Sequence, residues 1–537
     1  MPADSTGCER VPGRAHVRNL FLRVLGVIFL IAFLSLLSQV TLLFGSQGLL
    51  PAQPYLAAIR ATHRLLDAPT VFWVNCSDTM LRAVALTGAV LSFGLIFNRA
   101  PRYCLLAVWA LYLSFVTIGQ DFLSFQWDNL LLESAFFTLF VTPSGWRPKN
   151  PPTPAPFAIF LMQWLVFRLH FESGAAKLLT GDPTWRDLTA MVSYYETAPL
   201  PTWLGWYTHQ MPLWAHKLCA LFTFVVELVV PFFMWGPRRL RMPAFLLMIA
   251  MQLSVILTAN YGFFNYLTMA LCLFVLDDGH LEWLAERLGR RLQRLSQNSQ
   301  TTDWETTDNR RKPLSALALD LLSVRLLSVV RRVLGQPLRP PLPRRSSLLS
   351  RCVGALLLII LLPVSVVPFL PFLNGTAYRE TLPVRRVLNA FRSINAYHLF
   401  ASMTLIRREP VIEGSDDGEH WETYEFRYKP GDPDRAPAFV APHQPRVDFQ
   451  LWFLLLGGRA SAPYFDTLLA RLLEAPSVVA PLFARDPFPQ RPPAFVRLAV
   501  YRYRFTDAAT RRKTGAWWSR ELLGHTQPRS AHGAGWH

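Results

Sequence analysis

The stretch Trp164–Glu196, WLVFRLHFESGAAKLLTGDPTWRDLTAMVSYYE, sets Arg168, His170, Glu172 and Lys177 at or near the end of an otherwise apolar segment. Unpaired charge is costly in such surroundings, so ionisable residues there pair, face a polar interior or serve function. Arg168 and Glu172 are four apart on one helix face, which predicts an ion pair. Asp182 and Arg186 follow shortly after, and with Arg168 and Glu172 they read as a structural ionic network. Gly174 to Ala176 allows a second helix to approach closely. A second set, Gln120, Asp121, Gln126, Asp128, Asn129 and Glu133, lies before and within the next apolar segment upstream. Asp128 and Glu133 call for cationic partners, with Arg168 and Lys177 as candidates. A carboxylate near an amine is also the raw material of acid–base chemistry. In the last third, Trp421, His443, Arg446, Asp448 and Trp452 are candidate binding residues, and His443, Arg446 and Asp448 are close enough in sequence to form a polar cluster.

Several chemistries are unsupported. No HExxH or paired CxxC occurs, so no metal site is predicted. The six cysteines, Cys8, Cys76, Cys104, Cys219, Cys272 and Cys352, lie mostly in or beside apolar runs, which argues against a disulfide scaffold. There is no GxSxG elbow and no phosphate-cradling glycine loop. Net charge is +18, but the arginines gather in links between apolar blocks instead of along one face. That pattern fits cytoplasmic membrane loops beside anionic lipid and gives no reason to expect nucleic acid.

These residues must be positioned by membrane helices. About 20 apolar residues cross a bilayer as a helix, and 51% of the chain is hydrophobic, in blocks. Candidate spans are Leu20–Phe44, Leu81–Phe97, Tyr103–Gly119, Phe122–Val141, Phe157–Phe171, Leu213–Trp235, Pro243–Ala259, Phe263–Leu276 and Cys352–Leu373. About nine transmembrane helices place every basic cluster on one side, with the N-terminus cytoplasmic and the C-terminal part exported. The predicted organisation is a polytopic α-helical bundle over 1–280 and a basic cytoplasmic link with interfacial helices over 281–350. A last span over 351–374 leads to an extracytoplasmic α+β domain with an antiparallel sheet over 375–522, then a disordered tail over 523–537. Within the domain, Thr404–Ile412 and Trp421–Tyr428 read as strands around the turn Ser415–Gly418, and Ala499–Phe505 as another strand. Val447–Leu456 and Tyr464–Leu473 read as helices.

Five strings in this frame carry a family resemblance: QWDNLLLES (126–134), GDPTWRDLTAMVSYYETAPLP (181–201), ANYGFFNYL (259–267), EGSDDGEHWETYEFRYKPGD (413–432) and VAPHQPRVDFQLWFLLLG (440–457). They resemble the lipase maturation factor family over almost the whole chain. The resemblance implies a multi-spanning protein, not an enzyme, whose exported domain helps secreted lipases fold, with membrane lipids and an exported client as partners. The absence of paired cysteines and the Arg- and Pro-rich composition suggest a bacterial member in the inner membrane with a periplasmic domain. The alternative is the endoplasmic reticulum membrane if the chain is eukaryotic. The membrane part alone also resembles, over FESGAAKL (171–178), the vitamin K-dependent carboxylase group. That second resemblance implies an integral membrane enzyme with Lys177 as base, His170, Asp128 and Glu133 as partners, and a lipid or quinone-like molecule as cofactor.

Overall fold

A computed structural model of the chain describes residues 13–61, 67–148, 151–287, 348–370, 382–456 and 461–531. The first apolar run folds as α1 (Ala15–Leu37), followed by α2 (Asp78–Ile96) and α3 (Pro101–Ile118). Next come α4 (Gln126–Val141) and α5 (Pro156–Leu179). Helix α6 (Leu213–Phe224) continues through a π-helical turn, Val225–Val229, and a 3-10 stretch, Val230–Trp235. Helices α7 (Arg238–Thr258), α8 (Phe264–Cys272) and α9 (Leu348–Val366) complete the series.

Among the described residues, five of these are long and apolar enough to cross a membrane: α1, α2, α3, the Leu213–Trp235 run and α7. The expectation of about nine is corrected accordingly. Helix α4 has 16 residues, fewer than a bilayer requires. Helix α5 has 24 but spends part of its length on buried Arg168, His170, Glu172 and Lys177. The apolar helices at Phe264–Val275 and Gly354–Phe369 are short. The link helices expected over 282–294 and 314–334 fall, from residue 288 to 347, outside the described residues.

Small residues set the closest contacts. A Cβ on Gly88 of α2 would lie 2.4 Å from the Phe33 ring of α1, so only glycine lets these two helices meet there. The start of α1 leaves backbone N–H groups without helical partners. The Asp278 carboxylate accepts from Ala15, His16 and Val17 at 2.8, 2.9 and 3.1 Å. Basic side chains gather at this end: Arg14 donates to the Leu276 carbonyl, Arg18 to Pro152, and Arg238 pairs with Asp277 at 3.1 Å.

The opposite end of the bundle carries the C-terminal domain. Its main sheet runs β2–β1–β5–β6, with β1 Arg407–Ser415, β2 Glu422–Thr423, β5 Phe495–Phe505 and β6 Trp518–His525. A small second sheet pairs β3 (Glu425–Phe426) with β4 (Phe483–Arg485). All pairings are antiparallel, and β1 lies against β5 from Arg407↔Tyr503 to Ser415↔Phe495. The expected second strand of the first hairpin is split into β2 and β3, which join different sheets. Helices α10 (Arg446–Leu454) and α11 (Pro463–Glu474) cover the sheet. Leu468, Leu469 and Leu472, three and four apart on one face of α11, are buried in the same core as Ile412, Val496 and Leu498. That core is continuous with the bundle: Phe122 packs on Tyr464 at 5.4 Å and Trp127 on Phe449 at 4.9 Å.

The chain stays ordered in the sheet past residue 522. Strand β6 runs to His525, and β7 (Arg529–Ser530) pairs with the start of β5. The tail expected to be disordered is therefore structured as far as residue 531, because it completes the edge of β5.

At the tip of the first hairpin, Asp417 ties the turn together. Its carboxylate accepts from the Glu419 and His420 amides at 2.8 Å each and meets His420 Nδ1 at 2.6 Å. The His420 side chain holds the Asp417 carboxyl below the usual carboxylate range, helped by the two amides, and the same contact raises His420 above the usual histidine range. A depressed acid contributes above its unfolded pKa and is lost as pH falls through the folded value; a raised histidine contributes below its unfolded pKa and is lost as pH rises through the folded value. The tie is therefore complete between about pH 4 and 6.5, weakens below as Asp417 takes up a proton, and weakens above as His420 loses its own. In an NMR titration, Asp417→Asn is expected to lower the His420 midpoint toward about 6.5. An unchanged midpoint would show that the pair does not form in solution.

Candidate functional site

The charged residues of the bundle converge on the end that receives the C-terminal domain. The segment 395–403, which leads into β1, crosses that end as a strap. Arg168 of α5 bonds Glu133 of α4 at 2.7 Å and Glu172, one turn further on, at 2.9 Å. It also donates to the Asn395 carbonyl. Glu133 accepts from the Asn395 amide at 2.8 Å, the Asn395 side chain at 3.0 Å and the Tyr397 hydroxyl at 2.8 Å. Glu172 accepts from the Tyr397 amide at 3.0 Å. Two carboxylates and one guanidinium are thus shared between the bundle and the strap, with all three side chains buried. A buried charge tolerates burial only when paired and hydrogen-bonded, and this network meets both conditions.

Lys177 continues the line. Its amine meets both oxygens of Glu227, at 2.9 and 2.8 Å, the Leu399 carbonyl at 2.9 Å and the Ser173 carbonyl at 3.3 Å. Glu227 sits in the π-helical turn of the α6 run, where one extra residue per turn re-aims side chains. A Cβ on Gly174 would stand 2.9 Å from Glu227 Cβ and 2.8 Å from a Leu228 methyl. The glycine in FESGAAKL is what brings the π turn within reach of Lys177. Beyond it, Trp185 donates to Phe400 O at 2.8 Å, Thr180 to Ala401 O at 2.7 Å, and the Met403 amide to Asp182 at 2.7 Å.

A second anchor lies on the other side of the strap. Arg446, on the first turn of α10, forks onto Asp128 of α4 at 2.6 and 2.8 Å, and Tyr112 donates to the same carboxylate at 2.6 Å. Planar two-point contacts of this kind are the strong ones. His443 Nδ1 lies 2.9 Å from Ser35 Oγ, and Gln39 accepts from the Arg446 amide at 3.0 Å. Arg407, at the start of β1, donates to the carbonyls of Glu196, Ala198 and Pro199.

Several expected groupings dissolve in this arrangement. Arg168 and Glu172 pair as the spacing predicts, but Asp182 caps its own turn through Thr184 and Arg186 is exposed, so the four form no single network. Glu133 takes Arg168, one of its two expected partners, whereas Lys177 pairs with Glu227 and Asp128 with Arg446. His443, Arg446 and Asp448 point to three places: Asp448 accepts from the Tyr428 and Lys429 amides at 2.9 and 3.0 Å. Trp421 lies under Arg497, 4.0 Å from its guanidinium carbon, and Trp452 packs edge-on to Phe453 at 4.8 Å. Sequence reasoning missed Glu227, although an acidic residue inside the apolar Leu213–Trp235 run was the signal. Tyr112 gave no comparable local sign.

Comparison with known proteins matches this two-part construction. The family model of the lipase maturation factor transmembrane domain covers residues 16–283, and that of the lipase maturation factor C-terminal domain covers residues 393–528. Chicken lipase maturation factor 2 is 34% identical over 94% of this chain and 80% of its own. The chain belongs to the lipase maturation factor family. Human lipase maturation factor 2 is likewise 34% identical, over 94% of the chain and 81% of its own, and mouse lipase maturation factor 1 is 32% identical over 97% and 88%. No solved structure matches. The strap begins where the match to the C-terminal domain begins, so the seam described above is the junction between the family's two parts.

These relatives are vertebrate proteins. They overturn the expectation of a bacterial inner membrane with a periplasmic domain and favour the endoplasmic reticulum membrane. Composition misled here because arginine-rich links and scarce cysteines reflect membrane insertion and packing, which any membrane imposes alike.

Proposed function

We propose that the chain is a membrane-anchored maturation factor that helps exported proteins, lipases by family, to fold, and that it does so without catalysing a reaction. The observation that carries this reading is the state of Lys177. Its amine is held by Glu227, Leu399 O and Ser173 O, so it serves as a bolt for the strap and is not a free group of the kind a general base requires. The arginines at the far end of the bundle support an orientation in which the C-terminal domain faces away from the cytoplasm. The client surface in this reading lies on that domain, where Trp421 and Trp452 remain partly exposed; His443, Arg446 and Asp448 are occupied in holding the domain.

The test is secretion of active lipase from cells that depend on this chain. Trp421→Ala is expected to cut secreted activity about fivefold or more while the factor itself accumulates normally, in line with loss of an aromatic interface anchor. Lys177→Met combined with Glu227→Met removes the buried pair as a unit and is expected to leave most of the activity. Complete loss of activity in the double variant, with the chain still folded, would instead support Lys177 as a catalytic base.

A further inference from the structure

Behind the strap, between α5, α6 and α7, lies a cavity of about 450 Å³, within the range of small-molecule sites. Its wall is mostly apolar and aromatic, with Leu169, Trp185, Phe222, Val255 and Phe264 among its members. Four hydroxyls on the wall are spent: Ser173, Thr223, Thr258 and Thr268 each donate to a carbonyl one turn back on their own helix, whereas Trp127 Nε1 and the Tyr194 and Tyr261 hydroxyls are buried there as donors with capacity left. Lys177 is saturated as described.

His170 adds an unpartnered acceptor. It is 3% exposed and lines the cavity. Its Nδ1 lies 2.9 Å from the Val166 carbonyl. A carbonyl only accepts, so Nδ1 carries the proton and Nε2 is left as an acceptor. Nε2 is buried without a hydrogen-bond partner, a state that costs free energy until a donor arrives. The cavity also has a mouth in the plane of the membrane. Ser254 and Leu257, two of its lining residues, are exposed on α7, and the neighbouring Leu253 and, across the gap on α6, Leu218 and Leu221 are exposed apolar residues. Both walls of that mouth belong to membrane-spanning helices.

We propose that the cavity binds a lipid alcohol drawn sideways from the bilayer, with its apolar body among the aromatic side chains and its hydroxyl donating to His170 Nε2. At His170 the ligand's donor is the selective feature. A quinone-like molecule presents carbonyls, which accept only, and leaves Nε2 unpaired. An acylglycerol and a sterol both supply a hydroxyl on an apolar body, so these are the two sources to separate. The inference does not depend on the client reading above.

The experiment uses the full chain in lipid nanodiscs with two photoreactive probes, a diacylglycerol and a cholesterol each carrying a diazirine and an alkyne, and the O-methyl ether of each as control. At least one alcohol is expected to label peptides of α5, α6 or α7 and to be competed by its unlabelled form; the probe that labels identifies the source. The matching ether is expected to label tenfold less. His170→Phe is expected to lower labelling about fivefold to tenfold, the effect of one buried hydrogen bond. Ser254→Trp, placed at the exposed mouth where it leaves the fold intact, is expected to block entry. Failure of both alcohols to label, or ether labelling equal to the alcohol, overturns the proposal. If His170→Phe does not fold, Ser254→Trp decides, and undiminished labelling in it is equally fatal.

Discussion

Replacing Arg446 with Met is expected to cost about 3–5 kcal/mol and to loosen the C-terminal domain from the bundle. The substitution leaves the Asp128 carboxylate buried beneath α10 with Tyr112 as its remaining side-chain donor and no cation. Water cannot reach it without opening the seam, so the domain must lift or the carboxylate must take up a proton. Thermal unfolding in detergent, together with the rate of protease cleavage in the 395–403 strap, measures the loss. Adding Asp128→Leu to the same chain removes the stranded charge, and most of the stability is expected to return, since a buried pair exchanged for apolar side chains is often neutral. If Arg446→Met melts like the parent, the anchor does not hold the domain.

The second prediction concerns Arg168. Substitution by Met strands Glu133 and Glu172 together, two carboxylates bridged by one guanidinium, and is expected to cost about 3–5 kcal/mol. The more informative change is Arg168→Lys, which keeps the charge. A single ammonium cannot reproduce the planar fork that reaches Glu133, Glu172 and the Asn395 carbonyl at once. It is expected to cost about 1.5–3 kcal/mol, the worth of a hydrogen bond to a charged group. Hydrogen exchange gives the local readout. The Asn395 and Tyr397 amides, which donate to these carboxylates, are expected to exchange faster in the lysine variant. If protection there is unchanged, the network does not secure the strap.

Both effects arise because Arg446 and Arg168 neutralise buried carboxylates where the bundle meets the C-terminal domain. The charges in α4 and α5 look like an active site in sequence because charge inside an apolar helix demands an explanation. Function and docking are both adequate explanations, and the local pattern is the same for each. What separates them is whether any group retains unused capacity. Arg168, Lys177, Asp128 and Glu133 retain little, whereas His170 Nε2 does, and it faces a cavity.

The sequence by itself determined the elements and their broad placement. The blocks of apolar residues marked the membrane helices, alternation marked β5, and the four-residue interval from Arg168 to Glu172 marked their pair, because each of these signals is local and periodic. It overcounted the crossings, since an apolar run records affinity for hydrocarbon but not whether the helix faces lipid or a neighbouring domain. Only the tertiary structure decided which partner each charge takes. Arg446 meets Asp128 across more than 300 residues of chain, and Lys177 meets Glu227 because a glycine and a π-helical turn bring two helices together. Coulomb attraction in a buried site depends on separations of a few ångströms, and packing alone sets them.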